Sequence, residues 1–278
     1  MRIVIVGLGL IGGSLGLALK RRRLARRIIG VSHNPATLRR AKRLGAIDAG
    51  ATALRDAVAD ADIVVLATPV GRIVPLATQA ARFMRPGAVL TDVGSTKATI
   101  LRTLERRLPR RVAFVGGHPI AGSERRGLSA ASATLFDSAI CILTPTARTD
   151  RRALSRVRAL WAPLVDRVVL MRPEQHDRIL AELSHLPHLL AYALARTADP
   201  RQLPHATRSY LEMTRVAKSD PGLWEHIFLS NRGALLKALD RFTAEMCTVT
   251  GAIRSGKAAH LRRLLAAGKA KRDACDDD

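Results

Sequence analysis

The chain has 278 residues, 47% of them apolar, and its 46 Lys and Arg against 23 Asp and Glu leave a formal net charge of +23. That apolar share excludes an intrinsically disordered chain, and the length suits one large domain or two smaller ones. Three cysteines, Cys141, Cys247 and Cys275, exclude a disulfide scaffold and read as free thiols of a reducing, cytoplasmic compartment.

The predicted elements begin with a β-branched run, Arg2–Val6, followed by a helix over Leu10–Arg21. Residues 3–19 carry no charge, but the run falls short of the ~20 residues of a spanning helix. Gly7, Gly9, Gly12, Gly13 and Gly16 interrupt it, so a membrane segment is not expected. Strands follow at residues 28–31, 61–67, 88–93, 112–115, 139–143 and 167–170. Helices fall between most of them, at 35–44, 74–83, 96–108 and 154–164. This alternation predicts an α/β, Rossmann-type, doubly wound and mostly parallel sheet. After Pro173 no β-branched run remains. Helical spacing covers 175–196, 202–216 and 258–267, and one long helix is expected from Pro221 through Met246. The chain is therefore divided into a dinucleotide-binding domain, 1–172, and an all-helical domain, 173–278.

Gly7-Leu8-Gly9-Leu10-Ile11-Gly12 is a G-x-G-x-x-G between a strand and a helix. The first glycine permits the tight turn, the second admits a pyrophosphate to the backbone, and the third lets helix and strand pack closely. The helix N-terminus offers free N–H groups to the phosphates. Thr68, where the strand at 61–67 stops, is counted with this cofactor set. An acidic residue that would bind the ribose 2′-hydroxyl is absent at the end of the second strand, where Ser32 and His33 stand instead. Both can donate to a 2′-phosphate, and Arg39 and Arg40 follow, so NADP is favoured over NAD. The bland alternative is that Ser32 caps a helix.

Later strands end in Gly94-Ser95-Thr96-Lys97 and in Gly116-Gly117-His118-Pro119, at the face where doubly wound sheets hold ligands. His118 is read as lying in a stiff, glycine-flanked turn there, a catalytic candidate. In the helical part stand His176-Asp177 and Ser184-His185-Leu186-Pro187-His188. His185 and His188 invite a metal reading, but Pro187 disturbs the helix and no further ligand has matching spacing, so no metal is expected. Arg215 and the Ser219-Asp220-Pro221 helix start complete the set. Basic clusters such as Lys20–Arg23 and Arg106–Arg111 lack interleaved aromatics, which argues for solvated faces over a nucleic-acid partner.

Taken in order, residues 7–14 (GLGLIGGS), 92–97 (DVGSTK), 116–124 (GGHPIAGSE), 176–177 (HD), 184–188 (SHLPH) and 215–224 (RVAKSDPGLW) resemble the prephenate and arogenate dehydrogenase family of tyrosine biosynthesis. The resemblance runs from about residue 3 to 265. It implies oxidative decarboxylation of prephenate to 4-hydroxyphenylpyruvate, with arogenate as the alternative substrate. Another β-hydroxyacid or imine oxidoreductase on the same two-domain plan is a further alternative. It also implies roles: His118 is the catalytic histidine, and Ser95 holds it and touches the nicotinamide. Arg215 binds a substrate carboxylate, and His188 and Ser184 lie at the substrate pocket. Glu124 gates the pocket or meets a second subunit, and the helical domain intertwines into a homodimer. Ser32 departs from the Asp carried by the family's NAD users. Prephenate is a dianion, and a strongly basic chain steers such a substrate.

Overall fold

The computed structural model describes residues 1–122 and 125–275. One eight-stranded sheet runs through the first of two compact units, Met1–Arg232. Its strands are β1 (Arg2–Val6), β2 (Arg27–Val31), β3 (Ala49–Ala51), β4 (Ile63–Leu66), β5 (Val89–Asp92), β6 (Ala113–Pro119), β7 (Ile140–Thr144) and β8 (Arg167–Leu170). Their spatial order is β3-β2-β1-β4-β5-β6-β7-β8. The first six are parallel, β7 is antiparallel to β6, and β8 is parallel to β7. The order of the first six is that of a dinucleotide-binding sheet, with its switch point between β1 and β4.

Alternation along the strands explains why both faces must be covered. Ile3 and Ile5 of β1 enter one apolar cluster, with Leu15 and Leu19 of helix α1 (Leu10–Arg21) and Val157, Leu160 and Trp161 of a later helix. Val4 and Val6 enter the other, with Ile73 and Ala77 of the helix after β4 and Leu104 of the helix after β5. A strand buried on both sides reads as a continuous apolar run, as Ile-Val-Ile-Val does. The connections in chain order are α1, α2 (Pro35–Arg43), α3 (Leu54–Val58), α4 (Val70–Ala81), α5 (Ala98–Arg107) and α6 (Arg151–Trp161). Then come α7 (Pro173–Leu180), α8 (Leu186–Thr197), α9 (Arg208–Thr214) and α10 (Pro221–Ser230). These later helices belong by contact to the same unit as the sheet: α7 packs on α5, and α10 sets Trp224 and Ile227 into the α4 side of the core. The second unit begins at Gly233 and holds most of α11 (Arg232–Arg254) and all of α12 (Ala258–Asp273). No described helix is long and apolar enough to cross a membrane.

Three expectations change. The helix expected from Pro221 through Met246 is two helices, because Asn231 leaves helical geometry at φ −109° and ψ 25°. Its amide nitrogen turns inward to the carbonyl of Asp177 at 2.7 Å and to His185 Nδ1 at 3.2 Å. His118 lies on a strand and not in a turn. β6 outlasts β5 and continues by pairing with β7, setting Gly117 opposite Leu143 and His118 opposite Ile142. Finally, α7 and α8 are joined by a wide π-helical turn, Ala181–His185, in which Leu186 N–H reaches back to Ala181 O. Pro187 has no N–H to give, and the wider turn accommodates the missing bond.

Candidate active site

The glycine loop leaves β1 at the switch point. Gly7 has φ +94°, and a Cβ on it would stand 2.4 Å from the carbonyl oxygen of Ala67. A Cβ on Gly12 would stand 1.9 Å from the carbonyl oxygen of Gly7, so helix α1 can approach the turn only as glycine. Gly9 differs: a Cβ there would meet nothing within 4 Å. Gly9 opens α1 without any side-chain cap, and Leu10 and Ile11 follow in the first turn, half-buried. Free N–H groups at a helix start, an open approach at Gly9 and the buried, unpartnered Thr68 Oγ1 beside Gly7 form a cradle that fits a pyrophosphate.

At the end of β2, Ser32 is half-buried and His33 is exposed. Helix α2 is capped by Asn34, whose side chain accepts from Ala36 N–H at 2.8 Å, so Ser32 is not the cap. The Ser32 hydroxyl accepts from Asn34 N–H at 3.2 Å and keeps its own proton to donate. Arg39 and Arg40 of α2 are exposed.

β5 and β6 carry the centre of the site. Asp92 and Lys97 are both completely buried and form an ion pair. Asp92 also accepts from Gly94 N–H at 2.9 Å and Gly117 N–H at 3.1 Å, while Lys97 Nζ donates to the Gly117 carbonyl at 2.9 Å. One ion pair thus ties the turn bearing Ser95 to the strand bearing His118. Ser95 stands half-buried in that turn, and Thr96 Oγ1 lies 2.8 Å from Ser230 Oγ of α10.

His118 is buried, and its Nδ1 lies 2.9 Å from Nε2 of His176. His176 Nδ1 lies 2.8 Å from Asp177 Oδ1. Asp177 in turn accepts from the backbone N–H groups of Lys97 and Ala98 at 2.7 and 2.9 Å, which caps helix α5. Burial pushes the His118 imidazole well below its usual range, and His176, Lys97 and His185 push it the same way. Burial also lowers His176, against the pull of Asp177. For Asp177 burial acts upward, but the hydrogen bonds from His176, Ala98 and Lys97 outweigh it and hold the carboxyl low. The result is a carboxylate, a neutral imidazole and a second neutral imidazole in line. In the sequence His176-Asp177 counts among the blocks that carry the family resemblance, with no role of its own. A carboxylate beside a histidine near a helix start was the available signal.

The helical residues form a second group. His188 stacks on Trp224 with centroids 3.6 Å apart, and its Nδ1 donates to the Ser184 carbonyl at 2.9 Å. Ser184 therefore contributes its backbone to the group. Burial lowers the His188 imidazole, the Ser184 carbonyl acts upward, and the charge of Arg215 acts downward. Arg215 is exposed on a short 3₁₀ turn, Arg215–Lys218. His185 meets Trp224 edge-on, and its Nε2 is buried without a partner. Burial pushes its pKa down to about 4. Glu124 lies outside the described residues. Among the described residues no three His, Cys, Asp or Glu side chains are grouped to hold a metal ion.

Comparison with known proteins identifies the family of the chain. The profile described as prephenate dehydrogenase, nucleotide-binding domain, matches residues 15–170, and that described as prephenate dehydrogenase, dimerization domain, matches 172–267. The chain is 35% identical over 278 residues to a prephenate dehydrogenase of Bacillus subtilis, covering 98% of this chain and 75% of that one. The crystal structure of prephenate dehydrogenase from A. aeolicus in complex with hydroxyphenyl propionate and NAD+ superposes with a TM-score of 0.93 at 34% identity, over 99% and 98% of the two chains. The crystal structure of Synechocystis arogenate dehydrogenase superposes with a TM-score of 0.84 at 31% identity, over 99% of both chains. With both parts of its length matched by the family's own profiles, the chain belongs to the prephenate dehydrogenase family of oxidoreductases.

Proposed function

We propose that this enzyme oxidatively decarboxylates prephenate to 4-hydroxyphenylpyruvate, with His118 as the general base. The supporting observation is a neutral, buried imidazole on β6, beyond the end of β5, in line with His176 and Asp177. Gly7, Gly9, Leu10, Ile11, Gly12 and Thr68 would hold the dinucleotide, with Ser95 assigned to the nicotinamide end. A bound nicotinamide would supply the acceptor for the hydride lost from C4 of the substrate. His118 accepts the proton of the C4 hydroxyl as that oxygen becomes a carbonyl, and general-base help of this kind is worth roughly 10²–10⁴ in rate. The bond to the ring carboxylate then breaks as CO2 leaves, its electron pair passes through the ring to the C4 oxygen, and the ring becomes aromatic as a phenolate that takes up one proton. Arg215 holds a substrate carboxylate through two parallel hydrogen bonds, and His188, fixed by Trp224 and Ser184, lines the pocket. Glu124 is assigned by resemblance to the rim of the pocket.

NADP is the favoured dinucleotide, because Ser32 is free to donate and Arg39 and Arg40 are exposed nearby. Residues 173–278 are read as the substrate and dimerisation domain of a homodimer, working in a reducing, cytoplasmic compartment. Arogenate is the second substrate reading, favoured by the likeness to the Synechocystis enzyme. The deciding experiment is a two-by-two assay of purified protein: prephenate or arogenate, with NAD or NADP, repeated with His118→Asn. Turnover of prephenate with NADP that collapses in the variant supports the assignment. Full turnover in His118→Asn removes His118 from the chemistry.

A further inference from the structure

We propose that His176 and Asp177 are positioning residues for the base: their relay fixes His118 as its Nδ1–H tautomer and leaves Nε2 as its one basic nitrogen. The proposal rests on the reading of His118 as base and says which of its atoms takes the proton.

The assignment follows from donor counting along the relay. An ionised carboxylate only accepts, so at 2.8 Å His176 Nδ1 must donate to Asp177 Oδ1. A neutral His176 then carries a lone pair on Nε2. At 2.9 Å that lone pair faces His118 Nδ1, which must bear the hydrogen. The proton of His118 is thereby committed, and Nε2 is left unprotonated. The reverse assignment would place the proton of His118 on Nε2, where it could accept nothing from a substrate hydroxyl.

Three contacts fix the relay in space. Lys97 and Ala98 N–H groups occupy both oxygens of Asp177, so the carboxylate cannot turn away. Asn231, at the break between α10 and α11, holds the Asp177 carbonyl. His118 is set by the pairing of β6 with β7. When Nε2 takes the proton, His118 becomes an imidazolium whose Nδ1–H still points down the relay. The negative charge of Asp177 then lies at its far end and stabilises the cation without accepting a proton, as a carboxylate does behind a catalytic imidazole.

The test begins with the unaltered enzyme. Nitrogen NMR of the full chain labelled at histidine, above neutral pH, reads the protonation of each ring nitrogen, with His118 identified by the signals lost in His118→Asn. A protonated Nδ1 and a bare Nε2 on His118 are expected, and a protonated Nε2 overturns the proposal without any variant of His176. In steady-state assays, His176→Phe should lower kcat by roughly 10- to 100-fold with KM and dinucleotide affinity little changed. His176→Gln, which can present an amide oxygen where Nε2 stood, should recover much of that loss. A His176→Phe enzyme with unaltered kcat, a loss confined to KM, or a Gln variant no better than Phe each overturns the relay. Activity surviving in His118→Asn would instead remove the base itself.

Discussion

Lys97→Met tests whether the ion pair beneath the site holds it together. Both Lys97 and Asp92 are 0% exposed, and the ammonium also satisfies the Gly117 carbonyl. Methionine keeps the volume of the side chain but removes the charge and every donor. Asp92 would retain the N–H groups of Gly94 and Gly117 but lose its counter-charge. Breaking a buried pair by deleting one partner costs about 3–5 kcal/mol, because the other charge stays desolvated. A chain of this size loses roughly 2–4 °C of melting temperature per kcal/mol, so the midpoint should fall by about 6–20 °C. The penalty belongs to the stranded charge and not to lost packing. Asp92→Asn in the same chain should therefore return part of it, since an amide oxygen still accepts from Gly117 N–H. Thermal melts followed by circular dichroism at neutral pH, on both variants, provide the measurement. A Lys97→Met midpoint within about 2 °C of the unaltered enzyme, or a double variant less stable than the single one, refutes the reasoning.

Other predictions separate binding from folding. Gly9→Ala should keep the stability of the unaltered enzyme to within about 1 kcal/mol yet weaken dinucleotide binding in a fluorescence titration, because its Cβ faces open space. Gly12→Ala should destabilise the fold itself, its Cβ standing 1.9 Å from the Gly7 carbonyl oxygen, and equal midpoints for the two variants would contradict this. Ser32→Asp should move the ratio of NAD to NADP efficiency towards NAD by placing a carboxylate against the 2′-phosphate, and an unmoved ratio would detach Ser32 from cofactor choice. His185, with a folded pKa of about 4, is neutral when folded and takes up a proton on unfolding below the usual imidazole range. The unfolded chain thus binds more protons, and stability is present above about pH 6.5 and lost as pH falls towards 4. The full effect is about 3 kcal/mol. Urea unfolding at pH 7.5 and at pH 5 should show a smaller difference in His185→Phe than in the unaltered chain, and equal differences would exclude His185 as a source.

The parts of the fold legible in the sequence were those specified locally. The Ile-Val-Ile-Val run, the Gly7 turn and the apolar spacing of α1 lie within one stretch and agree with one another. Elements decided from a distance were harder to read. β3 is Ala-Gly-Ala, without a β-branched residue, and exists because it pairs along β2. The glycines at 116 and 117 suggest a turn, yet they extend β6: an added Cβ on Gly117 would stand 2.8 Å from the Asp92 carbonyl oxygen. Asn231 sits in an apolar helical stripe, and only His185 and Asp177, far back in the chain, explain why the helix stops there. Lys97 reads in the sequence as part of a turn at the ligand face, and nothing local shows that its side chain is fully buried. The site was legible as a set of types, while its wiring was not. His118 and His176 are separated by 58 positions, and nothing local to either announces the contact.

That wiring resolves a tension in the composition. A chain of net charge +23 attracts a dianionic substrate, but the same positive field opposes any base that must gain a proton. Here the opposition is partly useful. Burial, with the charges of His176 and Lys97, keeps His118 unprotonated, the state the proposed base needs when substrate arrives. In the proposed relay Asp177 offsets the cost of the charge that appears on His118 during turnover, from its far end. Placing the carboxylate one imidazole away lets the resting base stay neutral and the protonated base be stabilised. A carboxylate bonded directly to His118 would raise the resting pKa by a closer, stronger interaction and leave more of the base protonated before catalysis. The intervening His176 sets that distance, which is why its removal should alter kcat more than substrate binding.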